Sequence, residues 1–433
     1  MTVNTDQSVF ESKEYLRSRR AYRLECAFEY FVALVVSGAF LATLLTSIGI
    51  SDAVTGIISS FISLAFLFQI FSIFVVRKVS NTKRFVIIFH FLSQMFFMAL
   101  YIVPFLPFTV EYKQVAVIIC MLLAYFGNYF VTSMIYNWGN SHVDPRKRAS
   151  YSAGKEMLSL ISGMAITLLL GYVMDYFEMM DNTEGGFIFI AVSVFIFSVC
   201  DLICLLLIKN RIKPKEKAAG VPMKTVMKKT VGNRNFVNVI ILTSLWEIGR
   251  YTTIGFMGTY QIKELAYTVG AVQVINIVAN FARFAVSKPF GRYSDKTSFS
   301  RGAEIGLIIA AASFAVNMFT TPSNRVFVII YTILFNVAAA GTSQNFFSIA
   351  YSYVDGDYFV EASAIKNSIS GILGFAASIG ASALLDYIQN NGNMLFGIHV
   401  YGQQVLSAIS FAFVLAAILF NHFVIRKQKI IIQ

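Results

Sequence analysis

Twelve apolar stretches, each close to the length needed to cross a lipid bilayer, run through this chain in two sets of six. A membrane-spanning helix needs about 20 predominantly apolar residues, because the hydrocarbon interior offers no hydrogen-bond partner to an open backbone group. Of the 433 residues, 57% are hydrophobic and only 13% are charged, whereas soluble domains carry about 25% charged residues. The sequence therefore predicts an all-α membrane protein built from two six-helix bundles.

Twelve predicted spans form two bundles, and the two bundles, the linker and the two terminal segments make five parts of the chain. The spans are residues 24–47, 53–76, 85–106, 114–137, 151–174, 186–208, 236–260, 269–290, 302–320, 325–350, 362–385 and 400–424. The predicted domains are accordingly an N-terminal segment 1–23, a first bundle 24–208, a basic linker 209–235, a second bundle 236–424 and a tail 425–433. No cleavable signal peptide is expected, since the first apolar run is too long for one.

Basic residues are distributed unevenly between the two predicted faces. With the N-terminus inside, most of the 35 Lys and Arg residues fall in inner segments, and the outer loops hold only Lys113, Lys263 and Arg325. This positive-inside bias predicts that both termini are cytoplasmic. The net charge of +12 is therefore attributed to topology and to anionic lipid headgroups, and no nucleic-acid partner is expected. Short outer loops favour a prokaryotic cytoplasmic membrane.

The second bundle repeats part of the first. When the sequence is shifted so that residues 143–176 lie over 354–387, several polar positions coincide, among them Asp144 with Asp355, Lys155 with Lys366 and Ser159 with Ser370. Shared apolar composition does not readily produce polar matches. Parallel repeats with a substrate site between them are a recurring transporter plan, so a central cavity between the two halves is predicted.

The inner loop predicted after span 8 carries a family pattern. Gly291, Asp295, Lys296 and Arg301 match the spacing Gly-x-x-x-Asp-Arg/Lys-x-Gly-x-Arg/Lys-Arg/Lys, while Ser298 departs from it, as does Ser300. With the twelve spans and the repeat, the whole chain resembles the major facilitator superfamily. That resemblance implies two pseudo-symmetric six-helix bundles, and a loop that latches one of two alternating conformations.

The first-half copy of the loop is degenerate. Residues 77–84 keep the basic side chains, but Arg77 stands where the aspartate belongs and Ile73 where the glycine belongs. The loop after span 4, with Asp144 and Arg146, also fits the family's basic, helix-breaking turn and is assigned to the latch. Glu25 and Glu29 resemble the paired acids of peptide symporters, but their spacing differs, so that function is not carried over.

Span 8 holds the best candidate for a binding surface. Its polar residues recur at spacings of three and four, which places them on one helix face: Gln273, Asn276, Asn280, Arg283 and Ser287. The stripe either lines a water-filled path or hydrogen-bonds to a neighbouring helix. The first interpretation is preferred because Arg283 lies near mid-span, where a buried guanidinium is costly unless paired.

Span 7 supplies a possible partner for that stripe. Trp246, Glu247, Arg250 and Tyr251 cluster near its middle. Glu247 and Arg250 are one turn apart and form either a functional pair or a structural ion pair. On the functional interpretation Glu247 pairs with Arg250 or Arg283 in one conformation, the arginines bind the solute, and the two aromatic rings stack on its flat face.

The first half offers weaker candidates. Glu29 lies inside span 1 and is either an ion-coupling carboxylate or a side chain that reaches cytoplasmic bases. Asn128 and Thr132 share a face of span 4 and are assigned to the cavity wall. Lys155 and Lys366 occupy equivalent inner ends, which favours gating, and His90 is interpreted as a hydrogen-bonded core residue.

No enzyme is predicted. The chain has no Walker phosphate loop, and its four histidines (positions 90, 142, 399 and 422) lie on unrelated elements. The histidines therefore indicate neither a zinc site nor a catalytic triad. No cofactor is expected.

The sequence as a whole predicts a secondary transporter. It would move a small organic solute, sugar-like or anionic, by rocking residues 1–208 against 236–433, with coupling to a proton or another ion. Glu29 or Glu247 would carry the coupling. The alternative is a transport-fold receptor that binds a solute without carrying it. The expected partners are the solute and membrane lipids, and the expected state is a monomer.

Overall fold

The computed structural model describes residues 12–69, 82–143, 148–209, 223–354 and 359–428. Within these residues the chain is almost entirely helical. Eight helices belong to the first half: α1 (Lys13–Val35), α2 (Gly38–Ile48), α3 (Asp52–Ser59), α4 (Phe61–Ala65), α5 (Thr82–Leu100), α6 (Val110–Asn140), α7 (Arg148–Met179) and α8 (Thr183–Leu207).

The second half follows after the linker. Its helices are α9 (Met223–Gly232), α10 (Arg234–Thr253), α11 (Val269–Lys296), α12 (Phe299–Asn317), α13 (Val326–Tyr351), α14 (Phe359–Asn390) and α15 (Gly402–Phe423). Irregular helical turns over 254–264 continue α10. A small hairpin, β1 (Met394–Leu395) and β2 (Ile398–His399), pairs antiparallel between α14 and α15.

Polar side chains mark where several helices begin. The Asn182 side chain accepts from the Gly185 N–H at 3.0 Å at the start of α8, and Asn233 accepts from the Asn235 and Phe236 N–H groups at the start of α10. Thr268 accepts from the Ala271 N–H at the start of α11. Such caps satisfy backbone donors that have no partner within the helix. The helix boundaries therefore follow local sequence.

The described helices confirm a polytopic membrane protein. Nine of them, α5 to α8 and α11 to α15, are long and apolar enough to cross a membrane, and the bent pair α1 and α2 would make a tenth. The helix α10 carries three charged residues, and α3 with α4 form a shorter apolar stretch. The predicted count of twelve therefore stays a prediction.

The first predicted span is broken rather than straight. α1 and α2 meet at an angle of 43°. Gly38, at the start of α2, has φ of +56°, a left-handed conformation that glycine adopts without the Cβ penalty other residues meet. The bend therefore has a local cause in the sequence.

The chain packs into two compact units. The first contains Met1–Leu44 and Phe71–Ala218, and the second contains Leu45–Ile70 and Ala219–Gln433. This division gives the segment 45–70 to the second unit, although it precedes most of the first half in sequence. The domain boundaries predicted above describe the order of spans along the chain and remain a prediction.

In the first unit α8 packs against α1, α5 and α7, and α5 packs against α6. Its apolar core includes Phe130, Val131 and Trp138 of α6 with Leu205 of α8. In the second unit α10 packs against α14 and α15, while α13 packs against α11 and α12.

Polar contacts attach the segment 45–70 to α14. The Ser63 Oγ donates to the Gly371 carbonyl at 2.8 Å, and the Ser382 Oγ donates to the Ala53 carbonyl at 2.8 Å.

Candidate functional site

The charged residues predicted on span 7 lie together on α10. The Arg250 Nη1 is 3.5 Å from the Glu247 Oε2, and its guanidinium carbon lies 5.0 Å from the centroid of the Tyr251 ring. Lys366 on α14 also interacts electrostatically with Glu247. Two basic side chains therefore act on one carboxylate inside the second unit, and the three residues Glu247, Arg250 and Lys366 are called the charged cluster below.

A close approach of α14 brings Lys366 to α10. A Cβ added at Gly374 would lie 2.9 Å from the Tyr251 Cδ2 and 3.3 Å from the Glu247 Cβ. Gly374 is therefore one of the positions where a side chain would push the two helices apart. Since Gly374 lies two turns after Lys366 on α14, the glycine and the lysine present the same side of that helix to α10.

Several buried hydroxyl groups of the second unit have no hydrogen-bond partner among the described residues, and two of them lie on the helices α13 and α10. These two are the Tyr331 Oη on α13 and the Ser244 Oγ on α10. The Tyr331 phenol interacts electrostatically with Arg250, and Ser244 precedes Glu247 by one helical turn. A buried hydroxyl without a partner is costly, so a polar group of a ligand would be favourable beside this cluster. Sequence reasoning had identified neither residue.

Trp246 is buried in the apolar core, whereas a ring that stacks on a solute was expected to line a cavity. It is 5% exposed, stacks on Phe335 with centroids 6.1 Å apart, and meets Phe346 edge-on at 6.2 Å. The indole therefore packs in the apolar core of the second unit. It supports the helix that carries Glu247 and Arg250, and its contact with a solute remains a prediction.

The polar stripe of span 8 runs along α11 as the periodicity predicts. Gln273 is buried, whereas Asn276, Asn280 and Arg283 are half-buried. Arg283 forms no ion pair with any residue that the structure describes. α11 packs chiefly on α13. Among the described residues Glu247 therefore pairs with Arg250 of its own helix and not with Arg283, and the binding role of the stripe stays a prediction.

The first unit contains an arrangement equivalent to that around Gly374. A Cβ at Gly163 would lie 2.6 Å from the Tyr30 Cε1, as Gly374 meets Tyr251. Matching the two tyrosines places Glu29 at the position equivalent to Arg250, so the two units carry opposite charges there. Glu29 is half-buried. Lys155, the counterpart of Lys366, lies 4.7 Å from the centroid of the Tyr22 ring.

The remaining first-half candidates satisfy each other locally. The Thr132 Oγ1 donates to the Asn128 carbonyl at 2.7 Å and approaches the Asn128 Oδ1 at 2.9 Å. Both residues are half-buried. Their assignment to a cavity wall therefore remains a prediction.

The latch motif after span 8 is helical where a loop was expected. α11 continues through Gly291 and Asp295 to Lys296, and α12 begins at Phe299, with the Ser298 side chain accepting from the Arg301 N–H at 3.2 Å. The connection is therefore only two residues long. Lys296 and Arg301 are exposed. Asp144 and Arg146, with most of the degenerate copy over 77–84, lie outside the described residues.

Sequence reasoning missed a cluster in the first unit. Glu25 of α1, His90 of α5 and Asp201 of α8 are all buried, and the His90 Nε2 lies 2.8 Å from the Asp201 Oδ2. His90 is thus hydrogen-bonded in the core, as predicted. Its partners could not be recognised, because the sequence shows no spacing that links three helices so distant along the chain.

These features define a polytopic α-helical membrane protein with charged residues inside both of its units. The sequence profile of the major facilitator superfamily matches residues 26–384. The chain belongs to this superfamily of membrane transporters. No curated protein sequence matches it.

Solved structures with the same fold share little sequence with this chain. A structure of the nucleoside transporter NupG is 12% identical, with a TM-score of 0.68 over 96% of this chain and 100% of that one. An auto-inhibited POT family peptide transporter is 11% identical, with a TM-score of 0.71 over 98% of both chains. A bacterial homologue of the iron transporter ferroportin is 13% identical, with a TM-score of 0.65 over 95% of this chain and 98% of that one. These likenesses establish the fold alone.

Proposed function

We propose that this protein is a secondary transporter that moves a small organic solute with an anionic group by alternating access. The observation that carries the proposal is the charged cluster of the second unit, in which Arg250 and Lys366 both act on the carboxylate of Glu247. With both bases protonated the charged cluster has one positive charge more than its carboxylate balances, and burial of such a charge is unfavourable unless an anion is supplied. A carboxylate or phosphate on the solute would supply it.

Arg250 is the residue best suited to hold that anion. Its side chain is 33% exposed, compared with 18% for Glu247, so the guanidinium can be reached while it remains paired. A guanidinium binds carboxylates and phosphates through two parallel hydrogen bonds. In the absence of solute Glu247 occupies part of this donor set. Binding of an anion would release Glu247, which could then take up a proton.

The sugar-like alternative receives less support from the geometry. It depended on stacking by Trp246, and that ring is enclosed by Phe335 and Phe346. The unpartnered Tyr331 and Ser244 hydroxyls would still accept or donate to a hydroxyl on the solute. We therefore place an anionic, hydroxyl-bearing metabolite ahead of a neutral sugar.

Ion coupling belongs to the same proposal. Glu247 and Glu29 are the carboxylates assigned to ion coupling. Each lies at a position where the other unit has no carboxylate. A proton is the proposed ion. We further propose that the protein acts as a monomer in a prokaryotic cytoplasmic membrane, with both termini inside.

The proposal is tested by flux into proteoliposomes. Purified protein is first screened by thermal shift against anionic and neutral metabolites at pH 5.5 and 7.5. A ligand at 100 times its Kd stabilises a protein by about 2.7 kcal/mol, which is readily detected. The best ligands are then assayed for uptake with and without a pH gradient.

Arg250→Ala is the decisive variant. It should weaken binding of an anionic solute by at least tenfold, because loss of a charge-assisted hydrogen bond costs about 1.5–3 kcal/mol. Arg234→Ala is the matched control, since it removes an exposed arginine from the start of the same helix. Equal binding by both variants would show that the solute does not bind at Arg250 on α10. Binding without flux in the wild type would instead favour the receptor alternative.

A further inference from the structure

The first unit buries three potential metal ligands that the proposed function does not use. Glu25, His90 and Asp201 come from α1, α5 and α8, and one ligand atom from each can be chosen so that all three lie within 4.8 Å of one another. Glu25 and His90 are fully buried, and Asp201 is 2% exposed. Together with Gln94, these side chains are called the buried cluster below.

The buried cluster holds two carboxylates and one imidazole. With both carboxylates ionised, even a protonated His90 would leave one negative charge in a site closed to water. The charged groups that act on Glu25 are Asp201, Glu29 and His90, and only the last of these can be a cation. A bound cation would remove this imbalance.

Several ligand atoms of the buried cluster also lack a partner. Within the described ranges the Glu25 Oε1, the Asp201 Oδ1, the His90 Nδ1 and the Gln94 Oε1 form no hydrogen bond. The atoms that are satisfied are the Glu25 Oε2, which accepts from the Cys26 Sγ at 3.1 Å, and the His90 Nε2–Asp201 Oδ2 pair. Native proteins rarely leave so many polar atoms unpaired in one buried place, which is a second indication of a missing ligand.

The ligand atoms of the buried cluster lie close enough that small side-chain movements would let them bind one first-row metal ion. Ligand atoms that each lie about 2.1 Å from a metal are roughly 3.0–3.4 Å apart at right or tetrahedral angles. The His90 Nε2 and the Asp201 Oδ2 are 2.8 Å apart, so little movement would be needed for both to bind one ion. The Gln94 Nε2 lies 3.4 Å from the His90 Nε2, and rotation of that amide would turn its oxygen towards the same point.

The kinds of ligand atom in the buried cluster indicate which metals it could bind. One imidazole nitrogen with carboxylate and amide oxygens suits zinc, manganese or ferrous iron, whereas magnesium and calcium prefer oxygen alone. We propose that Glu25, His90 and Asp201 bind one divalent transition-metal ion inside the first unit, with Gln94 as a fourth ligand. This site is separate from the charged cluster of the second unit and does not rest on the proposed function.

The test measures metal binding to the purified full-length protein after treatment with a chelator. Mn²⁺ is titrated and the free ion is followed by electron paramagnetic resonance, and Zn²⁺ binding is measured by equilibrium dialysis. Mn²⁺ is the main probe because it favours oxygen ligands over the free thiols of the chain. The expected result is one ion bound per chain and a raised melting temperature with either metal.

Substitutions then locate the ion. His90→Gln and Asp201→Asn should each weaken binding by at least tenfold, as loss of a ligand or its orienting partner typically does. His142→Gln is the matched control, because His142 is also fully buried but lies outside the buried cluster. Its affinity should equal that of the wild type. Glu25→Gln, which keeps the size of the side chain, provides a third variant if either of the first two fails to fold.

Three outcomes would overturn the proposal. They are no stoichiometric binding by the wild type, equal binding by the cluster variants and the control, or stability that depends on pH but not on metal. The last would mean that the cluster holds a proton. None of these measurements involves solute flux, so their failure would leave the transporter proposal standing.

Discussion

Contacts between single residues of one helix could be predicted from their spacing, whereas contacts between helices could not. Glu247 and Arg250 were paired from their separation along one helix, and the structure places their charged atoms 3.5 Å apart. Lys366 was assigned to gating because of its repeat partner, yet it interacts with Glu247 from another helix. The spacing within α10 is a local property, whereas the approach of α14 depends on packing.

The approach of α14 to α10 should depend on the absence of a side chain at Gly374. A Cβ there would lie 2.9 Å from both the Tyr251 Cδ2 and the Ser63 Oγ, so Gly374→Ala should destabilise the protein by about 1–3 kcal/mol through overpacking. The measurement is the melting temperature in detergent, with solute binding as a second readout.

Gly380→Ala is the control for this prediction. It lies on the same helix, and its added Cβ would meet nothing within 4 Å. We expect no loss of stability. If both alanine variants melt alike, the contact between Gly374 and Tyr251 does not limit the packing of these helices.

Helices were predicted more reliably than the connections between them. The predicted spans 4, 5, 6 and 8 correspond to α6, α7, α8 and α11 within a few residues at most of their ends. The expected loop over 291–301 proved to be the end of α11 and a two-residue connection. An apolar stretch ends where the chain leaves the bilayer, but a helix continues until its backbone is capped. The end predicted from hydropathy and the observed end of the helix therefore differ.

The polar stripe of α11 gives the prediction that belongs to this scale. Arg283→Ala should abolish transport while membrane insertion stays normal, because the residues that set topology lie elsewhere in the chain. The measurement is uptake into proteoliposomes at matched protein density. Lys288→Ala, at an exposed position of the same helix, should leave uptake unchanged. Normal uptake by Arg283→Ala would show that the stripe serves packing.

At the scale of the whole molecule, the second unit includes a segment from the first half of the chain. Asp52 at the start of α3 pairs with Lys263 at 2.5 Å, and the Gln389 side chain of α14 donates to the same carboxylate at 3.1 Å. Asp52 is 6% exposed. Lys263 is one of the few bases predicted outside, and it is the charged partner of this carboxylate.

The pair should therefore hold the segment 45–70 to the rest of the second unit. Asp52→Asn and Lys263→Met should each lower stability by about 1–3 kcal/mol, because each leaves a partly buried group without its charged partner. The double variant should lose less than the sum, by about 0.5–3 kcal/mol. Melting temperatures of the four proteins give this coupling, and strictly additive losses would show that the two charges act independently.

The sequence by itself determined the class of this protein, the approximate positions of most spans, the internal repeat and the residues that share a helix face. These are local properties, since hydrophobic length and a period of 3.6 residues can be read from neighbouring positions. Only the tertiary structure decided which helices meet. It joined Asp52 to Lys263 across 211 residues, brought Lys366 to Glu247, and gathered Glu25, His90 and Asp201. The apolar surfaces of membrane helices are similar, so the sequence of one helix does not specify which others it contacts. Close packing in the folded chain decides those contacts.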